Sequence, residues 1–152
     1  MTALRDRRDL PLLLASRKVA GSTEREPLDR LRLQKGVFLL QERGPVAWRQ
    51  LYRYEPWDWG PFSRDLAVDV NRLVEEALLD LERVPGKRYP RYRTSVAGEE
   101  RLERDAWPRL SQAEVDWVKR VRAYVTSRSF GQLLREIYRA FPDYAVASRF
   151  GG

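Results

Sequence analysis

The 152-residue chain has no cysteine and no histidine, and only one methionine. Without cysteine there is no disulfide, no thiolate nucleophile and no zinc-finger framework. Without histidine, the commonest general base, the commonest transition-metal ligand and the usual catalytic triads are gone as well. Long apolar runs are also missing. The longest near the N-terminus, Leu10 to Ala15, is far shorter than a membrane span and has no secretory cleavage pattern beside it, so a cytoplasmic location without membrane contact is expected. There is no glycine-rich phosphate loop. The carboxylates Glu24, Glu26, Asp58, Asp143 and Glu99-Glu100 form no spaced metal-binding set, and Pro142-Asp143, the start of a nuclease motif, is not followed by Glu-x-Lys. The chain therefore reads as a non-enzyme with no catalytic residue, no metal site and no cofactor. A hydrolase with unrecognised carboxylate chemistry is the remaining enzymatic alternative, and divalent-metal dependence would reveal it.

What is present suffices for one domain. Apolar residues make up 43% and charged residues 34%, enough side-chain burial to order a chain of this length. A single domain over residues 1–152 is expected, with a core at 1–96 and a helical C-terminal extension at 97–152 packed on it. Asp9 is placed as the cap of a first helix from Leu10 to about Ala20, with Pro11 in its first turn and a break at Gly21-Ser22-Thr23. A second helix runs from Leu28 to Arg43 and stops at Gly44-Pro45. It carries two apolar stripes, Leu28, Leu31, Phe38 and Leu39 on one and Leu33, Val37 and Leu40 on the other, the pattern of a helix packed between layers. Alternation in Leu51-Tyr52-Arg53-Tyr54 predicts a short strand, closed by Gly60-Pro61. A third helix is predicted over Phe62 to Leu79, with Leu66, Val70, Leu73 and Ala77 on its inner face. Two β-leaning runs, Leu79–Val84 and Tyr89–Val96, flank Pro85-Gly86-Lys87-Arg88 and predict a hairpin. A polar helix over Gly98–Leu110, interrupted by Pro108, precedes two helices opened by the capping boxes Ser111-x-x-Glu114 and Ser129-x-x-Gln132, the second stopped by Pro142. Helix, helix, short strand, helix, hairpin, helix is the element order of a winged helix-turn-helix. The expected fold class is α+β, mostly helical, with such a core and a C-terminal pair of helices.

Certain stretches resemble a known family. The run Leu31-Arg32-Leu33-Gln34-Lys35-Gly36-Val37-Phe38-Leu39-Leu40 is followed by Tyr54-x-x-Trp57-x-Trp59-Gly60-Pro61-Phe62-Ser63-x-x-Leu66 and by Leu73-x-x-x-Ala77-Leu78-Leu79. Together they resemble the YwgA-like family of bacterial and archaeal proteins, itself similar to SocA-type antitoxins, the Panacea-domain proteins. Tyr92 to Glu99 looks like the strand-to-helix exit of winged-helix regulators, and Ile137 to Ser148 resembles the family's closing helix and tail. The resemblance spans roughly residues 28–150, with Gly60-Pro61-Phe62-Ser63 its most specific element. It implies a winged-helix fold and a role in regulation, toxin control or phage defence, and it supplies no active site.

The net charge of +7 is unevenly distributed. Residues 81–95 hold five Lys/Arg against one Asp/Glu, whereas residues 61–80 hold two against five. Arg83, Lys87, Arg88, Arg91 and Arg93, interleaved with Tyr89 and Tyr92, are candidates for a DNA-binding wing set against a phosphate backbone; the alternative is a solvated hairpin with a charge-protected edge. Arg64 joins them at the start of the third helix, and Arg5, Arg7 and Arg8 are candidate helpers. Asp65, Asp69, Glu75 and Glu76 argue against that helix as an ordinary reader of bases, and an acidic helix beside a basic wing also suits a protein partner. The aromatics Trp48, Tyr52, Tyr54, Trp57 and Trp59 read first as core, with Trp57, Trp59 and Phe62 as candidates for a protein interface. Lys35, beside Gln34 and Arg32 between the apolar stripes, is a candidate anion ligand whose ordinary fate is a solvent-facing or snorkelling side chain. Partners in view are DNA, another protein, or a second copy meeting through the two capped helices from Ser111, which could equally close the core.

Overall fold

The computed structural model describes residues 4–19 and 28–149. The chain is mostly helical with two small antiparallel hairpins. Helices α1 (Asp9–Leu14) and α2 (Arg30–Glu42) lead to the hairpin of β1 (Glu55–Trp57) and β2 (Gly60–Phe62). Helix α3 (Arg64–Glu75) follows, then the hairpin of β3 (Leu79–Glu82) and β4 (Arg91–Thr94), then α4 (Val96–Asp105), α5 (Gln112–Ser127) and α6 (Phe130–Ala140). Short 3-10 turns stand at Arg17–Val19, Val46–Trp48, Trp107–Arg109 and Pro142–Ala145.

Helix α2 is the axis of the fold. Every residue from Leu33 to Phe38 is buried, as are Leu40 and Gln41, so the two apolar stripes do face two layers. One layer is α1 and α5, the latter contributing Val118, Val121 and Val125; the other is β2 and the loop before it. Gly36 lets α1 approach, because a Cβ there would collide with the Leu14 side chain. At the far end, Phe38 makes edge-on contacts with Tyr54, Phe141 and Tyr144 at 5.2, 4.9 and 5.0 Å, which tie the C-terminal turn to the axis. Among the described residues, no helix is long and apolar enough to cross a membrane.

Side-chain caps set most helix starts. Asp29, Ser63, Ser95, Ser111 and Ser129 each accept a backbone N–H two or three residues on, and both expected capping boxes form. Asp9 does not cap α1. It is the first helical residue, and its buried carboxylate pairs with Arg101 at 2.9 Å. α1 ends at Leu14 rather than near Ala20, and the expected break at Gly21-Ser22-Thr23 lies outside the described residues.

The expected strand at Leu51–Tyr54 is absent, and the reason is a side chain. Gln41 donates from Nε2 to the Tyr52 carbonyl at 3.0 Å and accepts the Tyr52 N–H at 2.8 Å, so one buried amide takes the place of a strand neighbour. Seven residues earlier on the same face of α2, Gln34 does the same for Ser63, at 2.8 and 2.9 Å. The first hairpin falls between these clamps, turning through Asp58-Trp59, so Gly60-Pro61 begins its second strand instead of closing the segment. The second hairpin pairs Leu79 with Thr94 through Glu82 with Arg91 and forms its own sheet. Its β4 edge is covered, since Tyr92 N–H donates to Leu28 O and Thr94 N–H to Ala15 O.

Candidate nucleic-acid interface

At about 100° per residue, α3 has three faces. Leu66, Val70 and Leu73 point into the core. Asp65, Asp69 and Glu76 share a second face, and the N-terminal segment lies against it. Arg7 Nε meets Asp69 Oδ2 at 2.9 Å, and its Nη1 is 3.9 Å from Asp65, while Arg8 Nη1 meets Glu76 at 3.0 Å. Asp69 also accepts the Tyr52 hydroxyl at 2.8 Å, and the Arg7 guanidinium stands 4.9 Å from the Tyr52 ring centroid. Burial and this carboxylate together push the Tyr52 hydroxyl far above its ordinary pKa. Arg8 reaches back to Asp6, which Arg101 also holds at 2.9 Å. Burial opposes ionisation of Asp6, yet the Arg8 backbone and both guanidinium groups outweigh it and hold the carboxyl below its usual range. Arg7 and Arg8, expected as possible DNA contacts, are thus engaged with the acidic face of α3.

The third face looks outward and carries Arg64, Val68, Asn71 and Glu75, all exposed, with Arg72 beside them. On its other flank stands the β3–β4 hairpin, joined to α3 through Arg30. The Arg30 guanidinium donates to the Tyr92 hydroxyl from Nε and Nη2 at 3.2 and 2.7 Å, and from Nη2 to Asn71 Oδ1 at 3.0 Å. Nothing in the sequence marks Arg30 for this place, because its partners lie 41 and 62 residues away.

Strand alternation divides the hairpin cations. Leu79, Leu81, Tyr92 and Thr94 share the inner face; Asp80, Glu82, Arg91 and Arg93 share the outer one. There Arg91 meets Glu82 at 2.9 Å and Arg93 approaches it at 3.7 Å, so these two candidates are half-buried and engaged in cross-strand pairs. Arg83, Lys87 and Arg88 lie in the connecting loop and are exposed. Gly86, at φ +78°, turns that loop, and Arg88 covers the Tyr89 ring at 5.5 Å. Arg64, Arg83, Lys87 and Arg88 are therefore the site residues that face solvent.

The aromatic segment divides as well. Trp48 and Tyr52 are buried, and Tyr54 packs on the core with its hydroxyl donating to Gln34 O at 2.8 Å. Trp57 and Trp59, at the turn of the first hairpin, remain 42% and 36% exposed. Phe62 lies under Trp57 with centroids 4.3 Å apart, and Phe130 stands 6.1 Å from Trp59. Arg149 binds this turn, its N–H donating to Asp58 O at 2.8 Å and its Nε reaching the Asp58 carboxylate at 3.2 Å.

Lys35 does not reach solvent. It is fully buried, and Nζ donates to Pro61 O at 3.1 Å. Gly60, at φ +94°, leaves room for it, since a Cβ there would press on Lys35 Cε and on Leu134. Burial drives the Lys35 pKa down to about 7, only partly opposed by Asp29. Among the described residues no three His, Cys, Asp or Glu side chains converge on a point that could hold a metal ion. No protein-family model matches the chain, and no curated protein is significantly similar to it.

Proposed function

We propose that this chain is a non-enzymatic, winged-helix regulatory or adaptor protein that contacts the DNA backbone through the loop of its second hairpin. The observation that carries the reading is the pairing of Asp65, Asp69 and Glu76 with Arg7 and Arg8. It answers the charge objection for three of the four acids of α3, leaves Glu75 on the outward stripe, and keeps the exposed cations of the hairpin loop for a phosphate backbone. The order α2, 3-10 turn, α3, hairpin supports the winged-helix assignment, with β1 paired to β2 where such domains commonly add a strand to the wing. A role in regulation, toxin control or phage defence, implied by the resemblance to YwgA-like and SocA-type proteins, belongs to the same proposal, as does the cytoplasmic location expected from the lack of a long apolar run.

Fluorescence anisotropy on a random DNA duplex tests it. Four phosphate contacts, from Arg64, Arg83, Lys87 and Arg88, correspond to a log-log salt slope of about −3.6, a loss of roughly a hundredfold in affinity between about 50 and about 200 mM salt. Lys87→Glu with Arg88→Glu abolishes binding; unchanged affinity in the double variant would sink the assignment of the loop.

A second reading is favoured by the exposure of Trp57 and Trp59: an antitoxin-like or accessory protein that binds a partner protein through the first hairpin and α6. Such a complex persists in about 1 M salt, because apolar burial drives it, and Trp57→Ala with Trp59→Ala dissolves it.

A further inference from the structure

An exposed asparagine on a helix ordinarily offers an acceptor and two donors, the pattern that matches adenine in the major groove. In Asn71 that set is partly used. Its Oδ1 accepts from Arg30 Nη2, which takes one of the oxygen's two lone pairs and leaves both Nδ2 hydrogens for other partners. Arg30 is itself held in place by two hydrogen bonds to the Tyr92 hydroxyl, with its guanidinium 5.7 Å from the Tyr92 ring centroid. Both Arg30 and Asn71 are exposed, whereas Tyr92 is buried, so a fixed base carries a solvent-facing pair whose outward hydrogen-bonding groups are mostly donors.

We infer that the Arg30–Asn71 pair reads bases in duplex DNA and selects guanine. On the major-groove edge guanine presents two acceptors, N7 and O6, and no donor. Adenine sets one acceptor beside an amino donor and so takes fewer of the pair's donors; cytosine presents a donor alone; thymine sets one acceptor beside a methyl group. Val68, one turn toward the start of α3 and 46% exposed, supplies an apolar contact for a neighbouring thymine methyl. The stripe suits a nucleic-acid groove because Asp65, Asp69 and Glu76 beside it are paired with Arg7 and Arg8; Glu75, exposed on the stripe itself, stands one turn beyond Asn71, on the side away from Val68. This inference rests on the DNA-binding reading above and deepens it, turning a backbone-contacting protein into a sequence-selective one.

The experiment is selection from a duplex pool randomised over about one helical turn, with anisotropy on random duplex in parallel, for the wild-type chain and for Asn71→Ala, Arg30→Lys and Tyr92→Phe. The expected result is one position enriched roughly tenfold in guanine. Asn71→Ala and Arg30→Lys lose that enrichment, and Tyr92→Phe weakens it without removing the ring that packs the site. Asn71→Ala and Arg30→Lys lose more affinity for the selected guanine-bearing duplex than for random duplex, which separates loss of base reading from a general loss of binding. Salt-dependent binding with no enriched base would overturn the base-reading role and leave the backbone reading intact. Enrichment of adenine would overturn the selection of guanine by the pair's donors. Absence of wild-type binding to any duplex at about 50 mM salt overturns both readings.

Discussion

The two hairpins are built from opposite materials. The first, β1–β2, turns in two residues and ends in tryptophans; its root is held by side chains of α2, with Gln34 on Ser63 and Lys35 on Pro61. The second, β3–β4, has a long loop and ends in cations; its root is held by backbone bonds to Leu28 and Ala15 and by ion pairs on its outer face. Each root is specified by neighbouring elements and each tip is left to solvent. The difference predicts where energy and function separate: the first root rests on buried polar groups that are costly to disturb, whereas the second rests on ordinary backbone geometry.

The largest effect is expected at Lys35. Unfolded, its amine titrates near 10.5; folded, at about 7. Below pH 7 both states hold the proton, and the burial penalty stands in full at about 4–5 kcal/mol, from about 1.4 kcal/mol per pKa unit. Between pH 7 and 10.5 the unfolded chain holds a proton that the folded chain has released, so stability rises with pH across that window. Above pH 10 the gain is opposed, because Tyr52 and Tyr54 are pushed upward by burial and resist the ionisation that unfolding permits. In Lys35→Met, urea denaturation at pH 6 should show a gain of about 3 kcal/mol, after allowing about 1 for the lost hydrogen bond to Pro61, and the rise between pH 7 and 10 should flatten. An unaltered pH profile in that variant would contradict the account.

Next in size is the glutamine clamp. Gln34→Leu keeps the side-chain bulk but strands the Ser63 N–H and carbonyl in a buried place, which costs about 2–3 kcal/mol. Because Ser63 caps α3, this loss should also loosen the first turn of that helix, read as faster amide exchange at Leu66 and Ala67. An equal change in exchange along β3 and β4 would mean that the two roots are not separate.

The elements written in local chemistry were legible in the sequence. Both capping boxes, the core positions Leu66, Val70 and Leu73 of α3 and the second hairpin follow from patterns a few residues long, whereas Ala77, expected on the same inner face, lies past the helix end and is exposed. What was not legible depends on partners far along the chain. Gln41 replaces a strand neighbour for Tyr52, so β-favouring residues 51–54 form no strand. Arg7 and Arg8 pair with Asp65, Asp69 and Glu76 from about 60 residues away, which weakens the charge argument drawn from composition and leaves Glu75 as its remainder. At the candidate site, the exposed loop cations matched expectation in position, whereas the engagement of Arg91 and Arg93 follows from Glu82 sharing their face. Lys35 was misjudged because a lysine between two apolar stripes ordinarily snorkels, and here both flanks of α2 are covered.

The smallest effect belongs to the second root. Ala77 closes α3 at φ +59°, with Leu78 N–H returning to Leu73 O and Ala77 N–H to Val74 O, the paired bonds of a helix end that glycine usually occupies. An alanine Cβ in that region costs about 1 kcal/mol relative to glycine, partly offset by the greater freedom of glycine in the unfolded chain. Ala77 is exposed and contributes little packing, so Ala77→Gly should raise stability by about 0.5 kcal/mol and Ala77→Val should lower it. Ser95 Oγ donates to the Ala77 carbonyl at 2.7 Å and keeps the hairpin aimed whichever residue stands there. DNA affinity should then be the same in Ala77→Gly as in the wild-type chain. A change in affinity alongside the gain in stability would show that the second root sets the position of its tip through the strained Ala77 backbone rather than through hydrogen bonds alone.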